Sequence, residues 1–216
     1  VLLWAGTALF AKWIPLPAFQ ITALRSVVAA GALLLVLRWQ GGDLAPGGRR
    51  DFGLLIAGGL AMAAHWVTYF EAIQVSTVAI GILSLHTYPV MTALAEPLLF
   101  KERLRPLDVA LALLVLVGVA VLVPDFSLAS NITRGVLIGV VSAACFAGRN
   151  LLTRGVVTRH SGTKVTFYQL AASAVALLPV ALIWGEPLAP RSLGQLALLG
   201  LLFTALPHTL YTRSLQ

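Results

Sequence analysis

The sequence has 216 residues, of which 59% are hydrophobic and 11% are charged. Soluble domains are close to half apolar and a quarter charged, so a water-soluble fold of this length would leave too much apolar surface exposed. The net charge of +7 does not indicate a nucleic-acid partner, because the basic residues form short clusters between apolar runs. These properties predict a chain that lies in a lipid bilayer.

Apolar runs follow one another along the whole chain, and a membrane-spanning helix needs about 20 mostly apolar residues. The predicted helices cover residues 1–13, 19–39, 52–72, 76–100, 107–123, 135–153, 166–184 and 193–212. Pro89, Pro179 and Pro207 fall inside these runs. Proline there kinks a helix or frees a carbonyl, which a membrane bundle tolerates when neighbouring groups bond that carbonyl instead.

Basic residues are distributed unequally between the connections. Ten follow the even-numbered helices: Arg38, Arg49, Arg50, Lys101, Arg103, Arg105, Arg154, Arg159, Lys164 and Arg213. Three follow the odd-numbered helices: Lys12, Arg134 and Arg191. Cytoplasmic loops carry the excess of Lys and Arg, so this bias predicts that the even-numbered connections and the N-terminus face the cytoplasm.

The third and eighth predicted helices align with each other as "LLIAGGLAMAAHWVTYFEAIQ" and "LALLGLLFTALPHTLYTRSLQ", with six of 21 positions identical. The matched positions include Gly58/Gly200, Tyr69/Tyr211, Gln74/Gln216 and, upstream, Ile21/Val165 and Thr22/Thr166. A repeat of five helices has an odd number of spans, so its second copy must insert upside down. Inverted repeats are typical of secondary transporters, whose substrate sites lie near the midplane.

The predicted fold is therefore an all-α, polytopic helical membrane bundle built from two inverted five-helix repeats. Residues 1–124 form the first repeat, and residues 134–216 form helices six to eight of an incomplete second repeat. The sequence begins inside an apolar run at Val1 and stops just after another at Gln216. We therefore expect a fragment whose natural gene continues for at least two more apolar segments.

Several stretches in fixed order carry a family resemblance: "LLWAGTALFAK", "ALRSVVAAGALLLVL", "TYPVMTALAEPLLFKERL", "LLVLVGVAVLV" and "GVLIGVVSAACFAGRNLLTR". Together they resemble the EamA-type transporters of the drug/metabolite transporter superfamily. The resemblance implies ten helices in two inverted repeats, cytoplasmic termini and transport of small organic solutes. It also implies a central cavity walled by helices 1, 3, 4, 6, 8 and 9. The sequence departs from this pattern by lacking helices 9 and 10.

Polar and aromatic residues inside the helices are the candidates for a solute path, because polar groups facing lipid are costly. The predicted path residues are Trp4, His65, Trp66, Tyr69, Ser84, Tyr88, His208 and Tyr211. His65 and Tyr69 are four residues apart and share one helix face. Hydrogen bonding between helices without a transport role is the alternative for such faces. The stripe of Thr77, Gly81, Ser84, Tyr88 and Thr92 fits either tight packing or a cavity wall.

Three charged residues stand inside or at the edge of apolar runs. For Arg25 and Arg149 we favour structural anchoring, with side chains that extend to a membrane interface. A functional role remains open for both, because isolated charges in a membrane are usually functional or paired. Glu96 is expected to pair with a nearby basic residue, and proton coupling is the alternative.

The sequence contains no motif of a hydrolase, a phosphate-binding loop or a metal site, so no cofactor is predicted. The prediction is a secondary transporter of small organic metabolites in a bacterial inner membrane, and the resemblance to EamA-type transporters implies export as the favoured direction. Its partners would be a small organic solute and the lipid bilayer, and its oligomeric state stays open. The alternative is an intramembrane enzyme acting on a lipid-linked substrate. That activity would require clustered acidic or nucleophilic residues on one membrane face.

Overall fold

A computed structural model describes residues 2–100, 106–121 and 127–214, and the side chains of residues 6–100, 106–121 and 127–211. All regular structure in these ranges is helical. The helices are α1 (Leu2–Trp13), α2 (Ala18–Trp39), α3 (Arg49–Val75), α4 (Val78–Leu85), α5 (Tyr88–Phe100), α6 (Pro106–Val121), α7 (Asn131–Val157), α8 (Gly162–Trp184), α9 (Pro190–Gly200) and α10 (Leu206–Ser214). A π-helical turn, Leu201–Ala205, joins α9 to α10.

The eight predicted helices appear in the predicted order, with α4–α5 and α9–α10 as two broken ones. Six of these segments are long and apolar enough to cross a membrane, and α6 is shorter at 16 residues. The segments α3 and α7 each have 27 residues, several more than predicted, because polar residues extend them beyond the apolar run. Ser130 caps α7 by accepting a hydrogen bond from the Thr133 N–H, which fixes its early start.

Two of the three prolines inside the apolar runs, Pro89 and Pro207, lie next to helix breaks, whereas Pro179 lies inside the continuous helix α8. A proline ring clashes with the carbonyl four residues earlier, and α4 ends at Leu85, four residues before Pro89. Pro207 likewise cannot donate to Phe203, four residues earlier. The Thr7 hydroxyl donates to the Phe203 carbonyl instead at 3.2 Å, so a neighbouring helix satisfies the freed group.

Glycines allow α7 and α8 to approach α3 and α4 at backbone distance. A side chain at Gly139 would collide with Ser84, and one at Gly135 would collide with Ser76. A side chain at Gly59 would collide with Ala172 of α8. Small residues let membrane helices gain dispersion contacts along their backbones, so these positions hold α3, α4, α7 and α8 together.

The bundle has a basic end, defined by the α2–α3 and α7–α8 connections, where ion pairs tie the two connections together. Asp51 accepts hydrogen bonds from the Arg159 Nη2 at 2.6 Å and from the His160 Nε2 at 2.8 Å. The hydrogen bond to the Asp51 carboxylate raises the pKa of the Arg159 guanidinium above its ordinary value. The Lys164 ammonium reaches Asp43 at 3.2 Å.

The opposite end, defined by the α1–α2, α3–α4 and α8–α9 connections, is closed by side chains that bond to backbone. The Lys12 ammonium donates to the Gln74 and Ser76 carbonyls, each at 3.1 Å. Gln20 bonds both the N–H and the carbonyl of Glu186 at 2.8 Å. These bonds connect helices that lie far apart in the sequence.

The outer surface of the bundle is apolar while several polar groups lie inside it. Leu35, Leu182 and Trp184 are 73%, 76% and 67% exposed. His65, Arg25 and other polar side chains are buried. This distribution is the one expected where lipid is the solvent.

Candidate functional site

The site is centred on His65 of α3, which lies in the interior against α7. The His65 Nδ1 lies 2.8 Å from the Ser142 hydroxyl oxygen and 3.2 Å from the Ser142 carbonyl oxygen. The Ser142 hydroxyl in turn donates to the His65 carbonyl at 2.9 Å. Because a carbonyl only accepts, Nδ1 carries the proton and the other ring nitrogen, Nε2, is left as an acceptor.

Aromatic rings surround His65 and come from three helices. The ring centroids of Trp66 and Phe146 lie 5.0 and 4.7 Å from that of His65. Tyr69 stacks on His65 at 5.9 Å, and His208 of α10 lies 5.6 Å from Trp66. We call His65, Trp66, Tyr69, Phe146 and His208 the aromatic cluster. It combines ring faces with a few neutral hydrogen-bonding groups, which is the usual lining of small-molecule sites.

Arg25 of α2 packs directly on this cluster. Its guanidinium carbon lies 3.5 Å from the centroid of the Trp66 ring and 5.0 Å from that of Phe70. The side chain is 0% exposed, so the prediction that it extends to a membrane interface is wrong. The reason is the indole: a desolvated cation over Trp gains about 2 kcal/mol or more, which favours an inward rotamer.

Arg149 of α7 is also fully buried, so its side chain does not extend to a membrane interface either. Its Nε and Nη2 donate to the Gln169 Oε1 at 3.0 and 2.7 Å, and its Nη1 donates to Asn150 at 3.3 Å. Gln169 then donates to the Thr153 hydroxyl at 2.8 Å. Neutral amides thus occupy the donors of this arginine, which suits a structural role between α7 and α8.

A cavity of about 580 Å³ opens at the basic end between α5, α7 and α10. Its lining includes Tyr88, Tyr211, Thr92, Glu96, Pro89, Asn150 and Arg154. Glu96 pairs with Arg154 at 3.1 Å, which confirms the expected basic partner. The Arg154 side chain is 45% exposed, so the pair lies at the solvent side of the cavity and contributes about 0–1 kcal/mol.

Tyr88 connects this cavity to the aromatic cluster. Its ring meets Phe146 edge-on at 4.7 Å between centroids, and Phe146 lies the same distance from His65. Tyr211, the other predicted aromatic of the lining, lies 5.7 Å from the Arg149 guanidinium carbon. The Tyr88 ring at the cavity wall is therefore linked to His65 through the ring of Phe146.

The polar stripe predicted on the fourth helix divides at the break between α4 and α5. Gly81 packs against Ile73, and Ser84 packs against Gly139 while its hydroxyl bonds the Ile80 carbonyl of its own helix. Beyond the break, Tyr88 and Thr92 line the cavity. Both readings of the stripe thus apply, one to each half.

The remaining candidates are placed as follows. His208 is buried, and its Nδ1 donates to the Thr204 carbonyl at 3.0 Å. The side chain of Trp4 lies outside the described residues. Sequence reasoning missed Phe146 and Ser142, because a phenylalanine and a serine in an apolar run of α7 give no signal of a site. The role of Arg25 was signalled only by the cost of a charge in lipid.

Comparison with known proteins agrees with this architecture. The EamA-like transporter family matches residues 1–123 and 133–216. The pseudopaline exporter CntI of Pseudomonas aeruginosa is 29% identical over 184 residues, which cover 85% of this chain and 63% of that protein. The uncharacterised transporter YxxF of Bacillus subtilis is 24% identical over 190 residues, which cover 83% and 58%.

A solved crystal structure shares the fold, with a TM-score of 0.73 and 20% identity, over 99% of this chain and 75% of that one. The chain spans less than two thirds of the length of both curated relatives. The family match covers nearly every residue, and the relatives are named as transporters rather than enzymes. The chain therefore belongs to the EamA-like transporter family of multi-pass membrane proteins.

Proposed function

We propose that the protein containing this chain is a secondary transporter that exports small organic metabolites across a bacterial inner membrane by alternating access. The observation that carries the proposal is the aromatic cluster itself. His65, Trp66 and Tyr69 meet His208 and Arg25 inside the bundle, and the rings of Phe146 and Tyr88 link them to a cavity of about 580 Å³. Buried polar groups at this depth are costly, and solute binding is a function that compensates the cost.

Contacts between the predicted repeats support a site at their interface. In the repeat alignment, Trp66 corresponds to His208, and these two rings lie 5.6 Å apart. Arg25 corresponds to Gln169. A side chain on Gly58 would meet Gln169, and one on the equivalent Gly200 would approach the Arg25 carbonyl at 3.0 Å. Reciprocal contacts of this kind are expected around a twofold axis in the membrane plane.

The end of the bundle at which the cavity opens supports export as the direction of transport. The cavity reaches solvent at the basic end, which the Lys and Arg distribution assigns to the cytoplasm. The opposite end is held by the Lys12 and Gln20 bonds to backbone. A cavity that loads from the cytoplasm fits an exporter, and one of the relatives is named as an exporter.

The test is transport by the full-length natural protein in proteoliposomes, screened with labelled amines, sugars, amino acids and carboxylic acids. We expect uptake of at least one class above empty liposomes. His65→Ala should abolish most of that transport with unchanged insertion. Thr68→Ala is the matched control, because Thr68 lies on the same helix and its hydroxyl bonds only carbonyls of that helix. Wild-type rates in both His65→Ala and Tyr69→Ala would show that the path lies elsewhere.

A further inference from the structure

Arg25 and Arg149, the two buried arginines among the described side chains, differ in the hydrogen-bond partners of their donors. Arg149 places its hydrogen bonds on Gln169 and Asn150. The Arg25 Nε, Nη1 and Nη2 have no hydrogen-bond partner among the described residues, although all three are buried. The indole N–H of Trp66, which lies beside them, also lacks one. Buried side-chain donors in native proteins are nearly always satisfied, so four orphan nitrogens at one place call for an acceptor.

The positive charge of Arg25 also requires a partner. None of the buried polar residues among the described side chains is an aspartate or a glutamate. The positive charge of Arg25 therefore has no described counter-charge. A buried cation without one is costly and is retained where it binds something.

The geometry indicates how an acceptor would approach. A guanidinium carbon 3.5 Å from a ring centroid corresponds to a guanidinium that lies flat on the indole. Stacking uses the face of the guanidinium, whereas its N–H groups point outward in its plane. The contact with Trp66 therefore holds the group in place and leaves its two-pronged edge for a ligand.

The edge of a guanidinium matches a carboxylate, whose two oxygens accept two parallel hydrogen bonds. A single positive charge among Trp66, Phe70 and other apolar groups neutralises one negative charge. A phosphate dianion would keep an unpaired charge in this environment, which favours a carboxylate. The rings of the aromatic cluster would then contact the apolar body of the same molecule.

We propose that Arg25, together with the Trp66 indole N–H, is the recognition point for the carboxylate of the transported solute, so that the substrate is a small organic acid with an apolar body. This inference rests on the proposed transport function and names its substrate class. The Phe146 ring lies between His65 and Tyr88, which lines the cavity, so the carboxylate reaches Arg25 when these rings move aside during the transport cycle.

The first experiment measures ligand stabilisation of the purified full-length protein in detergent. Its probes are benzoate with benzamide, 3-phenylpropionate with 3-phenylpropionamide, and hexanoate with hexanamide. Each pair keeps the apolar body and removes the charge. We expect at least one acid to raise the unfolding temperature at concentrations about tenfold or more below those that its amide requires, because hydrogen bonds to a charged group are stronger. Equal behaviour of acid and amide in every pair overturns the proposal.

Matched variants locate the effect. Arg25→Lys and Arg149→Lys make the same chemical change at the two buried arginines. Only Arg25→Lys should reduce the preference for the acid, and Arg25→Gln should abolish it while the amide still binds. An acid preference that survives in Arg25→Gln contradicts the assignment. If that variant does not elute as a folded species, Arg25→Lys and the wild-type pairs decide the question.

Two further arms separate this inference from the proposed function. Stabilisation by phenyl phosphate and by none of the three acids overturns the carboxylate assignment in favour of a phosphate. In proteoliposomes, transport of amines or sugars alone leaves the transport function standing and overturns the organic-acid assignment. Transport of carboxylic acids, lost in Arg25→Gln and kept in Arg149→Lys, is the expected result. Transport of no solute of any class overturns both.

Discussion

His65 and Ser142 are joined by reciprocal hydrogen bonds across the contact between α3 and α7. The serine hydroxyl donates to the His65 carbonyl at 2.9 Å and accepts from the His65 Nδ1 at 2.8 Å. The hydroxyl proton is therefore committed to the backbone, and the imidazole is held in one tautomer and one orientation. Ser142, which in the sequence resembles an ordinary packing residue, thus leaves the His65 Nε2 as the ring nitrogen that can accept a hydrogen bond from a solute.

Ser142→Ala removes this hydroxyl and leaves the Nδ1 with only the longer contact to the Ser142 carbonyl at 3.2 Å. Loss of a buried partner of this kind costs about 1–3 kcal/mol of stability. We expect a lower unfolding temperature together with slower transport by the full-length protein. Thr68→Ala should change neither much. A Ser142→Ala variant with wild-type stability and rate would contradict the role assigned to the reciprocal bonds.

Tyr69→Phe tests whether the hydroxyl of Tyr69 contacts solute. The ring is retained, so its stacking on His65 at 5.9 Å should persist. We expect apparent affinity in a transport assay to fall by the equivalent of about 1 kcal/mol, the contribution of one hydrogen bond. Stability of the unliganded protein should change less than in Ser142→Ala. If the affinity for every transported solute is unchanged, the Tyr69 hydroxyl does not contact solute and the residue has only a packing role.

Gly139→Ala tests the close approach of α7 to α4. The added methyl would collide with the Ser84 side chain, and overpacking of this kind costs about 1–3 kcal/mol. Gly148→Ala on the same helix is the control, because nothing lies within 4 Å of its new methyl group. The control should be neutral or stabilising by about 1 kcal/mol, since alanine favours helix more than glycine does.

Thermal unfolding in detergent measures both glycine variants. Ser84→Gly should restore part of the stability lost in Gly139→Ala, because it removes the colliding atoms. Equal effects of the two alanine substitutions, or no rescue, would mean that α7 and α4 are not packed as described.

Asp43→Asn tests the contact between the α2–α3 loop and Lys164. The Ala45 N–H and the Lys164 side chain lower the pKa of the Asp43 carboxyl. A carboxyl with a lowered pKa stabilises the folded state above its unfolded pKa, and this contribution is lost as pH falls through the lower folded value. The variant should therefore unfold at a lower temperature than the wild type at pH 7. The gap should close below a pH of about 4, near the ordinary aspartate pKa. A gap that is constant with pH would exclude the ionised pair as its cause.

The orientation of the bundle is tested by accessibility of single cysteines in intact cells. The natural Cys145 is first replaced by alanine, and a cysteine is then placed at Arg49 or at Ala189. These positions begin α3 at the basic end and precede α9 at the opposite end. We expect an impermeant thiol reagent to label position 189 and not position 49. The reverse pattern would invert the proposed topology and, with it, the direction assigned to the open cavity.

Hydropathy and proline position predicted most of the fold, because each helix must satisfy its own backbone in lipid and therefore shows in the sequence as an apolar run. The break before Pro89 followed from the same logic. Helix ends were less predictable. The Arg49–Asp51 turn of α3 is polar and helical, and only the ion pairs of Asp51 with the α7–α8 connection explain why it is ordered.

The candidate site was only partly predictable. His65, Trp66 and Tyr69 could be found because polar and aromatic side chains in an apolar run need an explanation. The partners of His65 are distant in sequence: Ser142 lies 77 residues after it, and Phe146 lies further still. Pairing of residues on different helices depends on rotation and depth of each helix, which one sequence does not encode locally. The burial of Arg25 on Trp66 belongs to the same class of contact.

The break between α4 and α5 has a mechanical consequence. Proline at position 89 removes the backbone bond that would tie it to the Leu85 carbonyl, and α5 carries the Tyr88 and Thr92 wall of the cavity. The junction between α4 and α5 lacks one backbone hydrogen bond. Bending there therefore costs less free energy than bending an unbroken helix. We expect this junction to act as a hinge for α5, because the contact between Gly139 and Ser84 holds α4 against α7. Access to the cavity can therefore change through a local swing of α5, without dismantling the interface at which α3, α4, α7 and α8 meet.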